Sequence, residues 1–107
     1  MSMQEIGPQD LVRMRANGTE FQLIDVREPY EAEIGTIGGT LIPMGTIIER
    51  LAEVRRDVPV VVHCKSGSRS AAVVQALSTR YGFDNLINLQ GGILAYAEQV
   101  DPQIRCG

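Results

Sequence analysis

The reactive side chains of this chain are concentrated in one short segment. His63, Cys64 and Lys65 are consecutive within HCKSGSRS, His63 to Ser70. They are the only His, one of two Cys, and the only Lys, the other nine basic residues being Arg. A free thiol with pKa ~8.5 is only a few per cent thiolate at neutral pH. Helix N-termini and nearby cations bring such values down to roughly 3.5–7.5, where the thiolate becomes the resting form. The segment offers both. Gly67 permits the positive φ that lets successive N–H groups curl into an anion-binding nest. Ser66, Ser68 and Ser70 are short donors, while Lys65 and Arg69 add positive charge. A buried core cysteine at a strand end is the bland alternative for Cys64. Against it, Lys65, Ser66, Gly67, Ser68 and Arg69 have no core role. Cys64 is expected to be an activated nucleophile in a loop that holds an anion.

His63 looks like the natural base for that thiol, but adjacent strand residues point to opposite faces. It is expected to pack behind the strand, so that the loop's own field activates Cys64. No G-x-x-x-x-G-K-[ST] run is present, which excludes a phosphate-binding P-loop. One His and two distant Cys supply too few ligands for a metal site, and no cofactor is implied. Asp25 and Arg27 have two readings. Asp25 or Arg27 braces the Cys64 loop or meets substrate, or Asp25 caps the next helix while Arg27 makes a structural ion pair, and the second reading is preferred. Cys106 either resolves a modified Cys64 into a disulfide or sits in an unstructured tail, and again the second is preferred.

The elements that must position Cys64 follow from the hydrophobic pattern. PVVVH, Pro59 to His63, is a β-branched run expected as a central parallel strand. Ser68 to Tyr81 reads as the following helix, with Ala72, Val73, Ala76 and Leu77 inward and Gly82 as its stop. Cys64 therefore lies beyond the carboxyl end of a strand and before a helix N-terminus, where open parallel sheets place ligands. Upstream, a short extended piece at Glu5-Ile6 precedes a helix opened by Pro8 and stopped at Asn17-Gly18. Phe21 to Val26 is a buried strand, Pro29 opens a short helix ending near Gly35, and Leu41-Ile42 is a brief strand stopped at Pro43. Ile47, Ile48, Leu51 and Val54 recur at helical spacing, with Arg55-Arg56 at the helix C-terminus. Leu86 to Leu89 is a last strand. Gly91-Gly92 turns into a helix whose Ile93, Tyr96, Ala97 and Val100 share a face. This alternation predicts a three-layer α/β/α fold with a mainly parallel sheet of about five strands.

HCKSGSRS, taken with LIDVREPYEAEIGTIGGTLIP, resembles the rhodanese family of sulfurtransferases over Leu23 to about Val100. GGILAY, Gly91 to Tyr96, is similar to the glycine turn and aromatic near the end of such domains. With AEQVDP it resembles the rhodanese-like domain at the C-terminus of sulfur-carrier-protein adenylyltransferases. The resemblance implies that Cys64 accepts sulfur as a persulfide, that Lys65, Ser66, Gly67, Ser68 and Arg69 surround its outer sulfur, and that a thiophilic acceptor takes it in a second half-reaction. A small anionic donor such as thiosulfate, a sulfur-carrier protein and a cysteine desulfurase are the implied partners. Phosphatases of the same superfold have five residues between Cys and Arg, whereas four separate Cys64 from Arg69, so a phosphatase is the weaker alternative. A binding module or persulfide relay serving one protein partner is the other. Thr36, Thr40 and Tyr96 stand where His, Ala and Trp are usual, and Lys65 where Arg is common; a point charge in place of a planar fork alters donor preference.

Composition is consistent with these expectations. A chain of 107 residues, 44% hydrophobic, is read as a single domain over 1–107. A net charge of −3 argues against a nucleic-acid binder. Two Cys cannot make a disulfide framework. No apolar run approaches the ~20 residues that span a bilayer, and MSMQEIGPQD has no signal-peptide character. A cytoplasmic protein without membrane partners is expected.

Overall fold

Val60–His63 carries three consecutive valines, whose β-branched side chains favour extended backbone and require apolar cover on both faces. In the computed structural model this strand, β4, is central. It lies in a five-stranded, all-parallel sheet of order β1-β5-β4-β2-β3, with β1 Glu5–Ile6, β2 Gln22–Asp25, β3 Thr40–Leu41 and β5 Leu86–Leu89. The structure describes residues 3–106; Met1, Ser2 and Gly107, which complete the span read as one domain, lie outside it. Helices α1 Pro8–Ala16, α2 Pro29–Ile34, α3 Ser68–Tyr81 and α4 Gly92–Gln99 complete the alternation. The α/β/α architecture is as expected.

Alternation along β4 divides the core. Val60, Val62 and Cys64 face a cluster with Ile24, Val73, Val74, Leu77 and Phe83, under α3. Val61 faces the other cluster, with Leu11, Leu89, Ile93 and Tyr96, under α1 and α4. The register places Ile24, Val62, Asn88 and Glu5 in one row across the sheet. Paired residues of a parallel sheet project to the same side, so this row faces α3.

The segment expected as a helix around Ile47 to Val54 is instead two short 3-10 stretches, Met44–Thr46 and Ile48–Glu53, with a kink at Arg50. Gly45, Thr46, Ile47 and Ile48 are poor helix formers, and so short a segment does not overcome the nucleation cost. Ile47 and Val54 are buried, but Ile48 is 48% exposed. On α3 the buried residues are Ser70, Val73, Val74 and Leu77, while Ala72 faces solvent. Arg55 pairs with Asp57. Arg56 serves a different helix from the one expected: it donates to the carbonyls of Tyr81 and Gly82 at the end of α3 and stacks on Phe83 at 3.7 Å.

Between β2 and α2, Arg27 (0% exposed) and Asp25 (1%) form a buried ion pair. Arg27 Nε and Nη2 donate to the carboxylate at 2.9 and 2.8 Å, and Nη2 also donates to the Gly35 carbonyl at 2.8 Å. The pair therefore ties the end of β2 to the end of α2. Asp25 does not cap α2; its Oδ1 accepts the Arg27 N–H at 3.0 Å. Removing one partner of a buried pair leaves an uncompensated charge. Arg27→Met is expected to cost about 3–5 kcal/mol in denaturant unfolding. A loss below about 1 kcal/mol, the range of exposed pairs, would show that Asp25 is not held in a dry site.

Candidate active site

Cys64 follows β4 directly, and its side chain is fully buried on the α3 face. Three donors converge on Sγ: the N–H of Gly67 at 3.1 Å, the N–H of Ser70 at 3.4 Å and the Ser70 hydroxyl at 3.4 Å. The loop can turn its N–H groups inward because Gly67 adopts φ +103°, the left-handed region that side chains rarely enter. Burial opposes ionisation of the thiol. The hydrogen bonds from Ser70 and Gly67 outweigh it and hold Cys64 below its ordinary value. The arrangement can stabilise a sulfur anion.

The source of that stabilisation differs from the sequence expectation in one respect. Lys65 and Arg69 are expected to add positive charge to the nest and the helix N-terminus, but the Arg69 guanidinium is bound at both ends by Glu31, Nη1 to Oε2 and Nη2 to Oε1, each at 2.8 Å. Its charge is therefore largely neutralised by a buried carboxylate. Lys65 makes no ion pair among the described residues. Ser66 and Ser68 are exposed at the mouth of the loop, with hydroxyl oxygens 3.4 Å apart. Cys64, Lys65, Ser66, Gly67, Ser68 and Arg69 thus sit in one turn, with backbone and hydroxyl donors in direct contact with the sulfur and the Arg69 charge acting on it without a hydrogen bond.

The far side of the loop rests on α4. The N–H groups of Ile93 and Leu94 donate to the carbonyls of Cys64 and Lys65 at 3.0 and 3.1 Å. A Cβ on Gly92 would lie 2.4 Å from the Lys65 oxygen and 2.6 Å from the Cys64 oxygen. Gly91-Gly92 is therefore the seat of the loop as well as a turn.

His63 packs where expected, away from the nucleophile. Its Nδ1 lies 3.2 Å from the Cys64 carbonyl, and its Nε2 lies 3.8 Å from Asp25 and has no hydrogen-bond partner. Burial, partly offset by Asp25, pulls its pKa below the usual 6.5. Cys106 is not in an unstructured tail. It packs with the α1/α4 cluster, and its Sγ donates to the Ile93 carbonyl at 3.6 Å. Both cysteines are free and belong to clusters on opposite faces of the sheet. A groove of about 600 Å³ along α3, lined in part by Val74, Ser78, Phe83 and Leu86, lies apart from the Cys64 loop.

Sequence reasoning did not find Glu31 or Asn88. Glu31 is one of three glutamates in REPYEAE, and nothing in its spacing distinguishes it. Asn88 had a signal, an amide inside the apolar strand LINL. Its Oδ1 accepts from the Ser70 hydroxyl at 2.6 Å.

Glu31 also accepts the Glu28 N–H at the start of α2. Principally through the Arg69 hydrogen bonds, its pKa falls from 4.5 to about 2. A depressed carboxylate stabilises the fold fully above its unfolded pKa and loses that contribution as pH falls toward the folded value. Unfolding measured between pH 4.5 and 2 is expected to show declining stability, and Glu31→Gln should flatten that decline. An unchanged slope in the variant would mean that another group carries the acid transition.

Residues 7–99 match the family model for the rhodanese-like domain. A probable adenylyltransferase/sulfurtransferase, MoeZ, of Mycobacterium tuberculosis is 40% identical over 102 residues, covering 92% of this chain and 26% of that protein. The chain thus spans about a quarter of the length of that relative. A sulfurtransferase of Allochromatium vinosum is 35% identical, with 89% of each chain covered. Among solved structures, a rhodanese-related protein of Thermoplasma volcanium superposes with a TM-score of 0.80 at 33% identity, covering 91% of this chain and 93% of that one. With its parallel sheet, its cysteine loop and these relatives, the chain belongs to the rhodanese-like domain family.

Proposed function

We propose that this chain transfers sulfane sulfur by way of a persulfide on Cys64. The observation that carries the reading is the convergence of the Gly67 and Ser70 donors on Sγ, which holds the thiol below its ordinary value. Relatives named sulfurtransferases support sulfur transfer in general. In the first half-reaction the Cys64 thiolate attacks the outer sulfur of thiosulfate. The new Sγ–S bond forms as the thiosulfate S–S bond breaks, and sulfite leaves with the bonding pair. In the second, a thiophilic acceptor attacks the outer sulfur and Cys64 departs as thiolate, giving ping-pong kinetics.

Each loop residue has a part. The N–H groups of Gly67 and Ser70 stabilise negative charge on sulfur. Lys65, with Ser66 and Ser68 at the mouth, attracts and orients the anionic donor. Arg69, fixed by Glu31, holds the first turn of α3 in register with the loop. Cys64 has no exposed surface, which suits admission of a single sulfur atom rather than a bulky group. A phosphatase would need Arg69 for the phosphate, and both of its terminal nitrogens are engaged. The adenylyltransferase/sulfurtransferase relative favours a second reading, in which the sulfur passes between protein partners such as a cysteine desulfurase and a sulfur-carrier protein. A reducing, cytoplasmic setting fits a free thiol nucleophile.

Mass spectrometry after thiosulfate treatment should show one sulfur atom added at Cys64, removable by cyanide, and Cys64→Ser should abolish turnover while leaving the fold intact. No added sulfur from thiosulfate, from other small donors or from a cysteine desulfurase would end the proposal; loading by the desulfurase alone would select the relay. Lys65→Met is expected to raise the thiosulfate KM several-fold with kcat less affected. An unchanged KM would remove Lys65 from donor binding.

A further inference from the structure

The Ser70 hydroxyl has one proton and three acceptors in reach. Cys64 Sγ lies at 3.4 Å, the Gly67 carbonyl at 3.2 Å and Asn88 Oδ1 at 2.6 Å. Asn88 is 2% exposed, and the other end of its amide is fully used. Nδ2 donates to Glu5 Oε2 at 2.8 Å and to the Gly67 carbonyl at 3.3 Å. Those two acceptors fix which way the amide points. Turned over, Asn88 would set its oxygen against the Glu5 carboxylate and the Gly67 carbonyl, two acceptors facing a third. The register explains how the contact arises, because Glu5 on β1 pairs with Asn88 on β5.

We propose that Glu5 and Asn88 are positioning residues forming an outer hydrogen-bond relay, which sets through the Ser70 hydroxyl how well Cys64 is held as a thiolate. The inference rests on Cys64 being the nucleophile. While Glu5 is a carboxylate, Asn88 presents its oxygen to Ser70 at 2.6 Å and competes with Sγ, at 3.4 Å, for the hydroxyl proton. When Glu5 is replaced by an amide, whose own N–H can meet a turned Asn88 oxygen, Asn88 can turn and donate to Ser70 Oγ. The Ser70 proton then points at Sγ, where a hydrogen bond to an anion is worth most. No proton travels along the chain: Cys64 gives its proton to water, and Ser70 and Asn88 only reorient.

Other charges face Cys64 and must be separated from this path. Lys65 lies in the loop, Arg69 on α3 is paired with Glu31 of α2, and Tyr30 of α2 acts on Arg69. His63 lies on the opposite face of β4. Glu5 makes no ion pair among the described residues, so its effect is not relayed by a bound cation.

A double-mutant cycle on the thiol titration tests the relay. The ultraviolet absorbance of the thiolate is followed against pH, with the Cys64→Ser titration subtracted in each background. Glu5→Gln is expected to lower the Cys64 pKa by about one unit, roughly tenfold in acidity, as a regained hydrogen bond to a charged group would. In the Ser70→Ala background the same substitution should have no effect. Asn88→Leu, which removes the competing acceptor, should lower the pKa as Glu5→Gln does. An equal Glu5→Gln shift with and without the Ser70 hydroxyl would reveal a direct charge effect and overturn the relay, as would no shift at all. Sulfur loading of Cys64, measured separately, reports on the nucleophile whatever the cycle shows.

Discussion

Ile93 and Leu94 donate their backbone N–H groups to the carbonyls of Cys64 and Lys65, and the reactive loop depends on those two bonds. A loop that aims its N–H groups inward at one sulfur must aim its carbonyls elsewhere. A buried carbonyl without a partner is costly. The N-terminus of α4 supplies the partners, because its first N–H groups have none within the helix. The approach is close enough that position 92 must lack a Cβ. Gly67 makes the complementary contribution, its positive φ turning the chain and its carbonyl accepting from Ser70 and Asn88. The carbonyls of positions 64, 65 and 67 are therefore all occupied, which leaves the N–H groups pointing at Sγ.

Charge plays a more structural part around this loop than the residue types suggest. Arg69 and Arg27 are both clamped by acidic partners, Glu31 and Asp25; Arg69 ties α2 to α3, and Arg27 ties it to the end of β2. Arg27 also reaches the carbonyls of Glu31 and Gly35. Charges desolvated and paired in this way fix geometry more than they create long-range field. The thiol is held low by short-range donors that cost no reorganisation, which is how a buried anion is best stabilised.

The two faces of the sheet are correspondingly specialised. On the α3 face, Cys64 and Ser70 lie at the top of a valine- and leucine-rich cluster, with Asn88 as a buried polar residue between Val62 and Glu5 in its row. On the other face, His63, Asp25 and Arg27 form a buried polar group, while the C-terminal segment packs against α4 through Ile104 and Cys106. The carbonyl of Arg105 lies so near Gly35 that a Cβ there would fall 1.8 Å from it. The tail closes over the end of α2 and places Cys106 across the sheet from Cys64. Among the described residues no helix is long and apolar enough to cross a membrane.

The order of strands and helices, the central valine strand, the glycine-containing cysteine loop and the outward turn of His63 were all legible in the sequence, because each follows from local chemistry: β-branching, period-two alternation, and the left-handed freedom of glycine. The helical spacing of Ile47 to Val54 misled, since spacing alone carries no information about whether a short β-branched segment can meet the cost of nucleating an α-helix. Arg56 caps α3 from 25 residues away, and Glu31 reaches Arg69 across 38. Asn88 meets Ser70 only because β5 pairs with β4 in a particular register, and Glu5 meets Asn88 only because β1 pairs with β5. The sequence by itself determined which residue is the nucleophile candidate and which backbone segment surrounds it. Tertiary structure decided which side chains reach that segment, because contacts between distant residues are set by strand pairing and helix packing and leave no periodic trace along the chain.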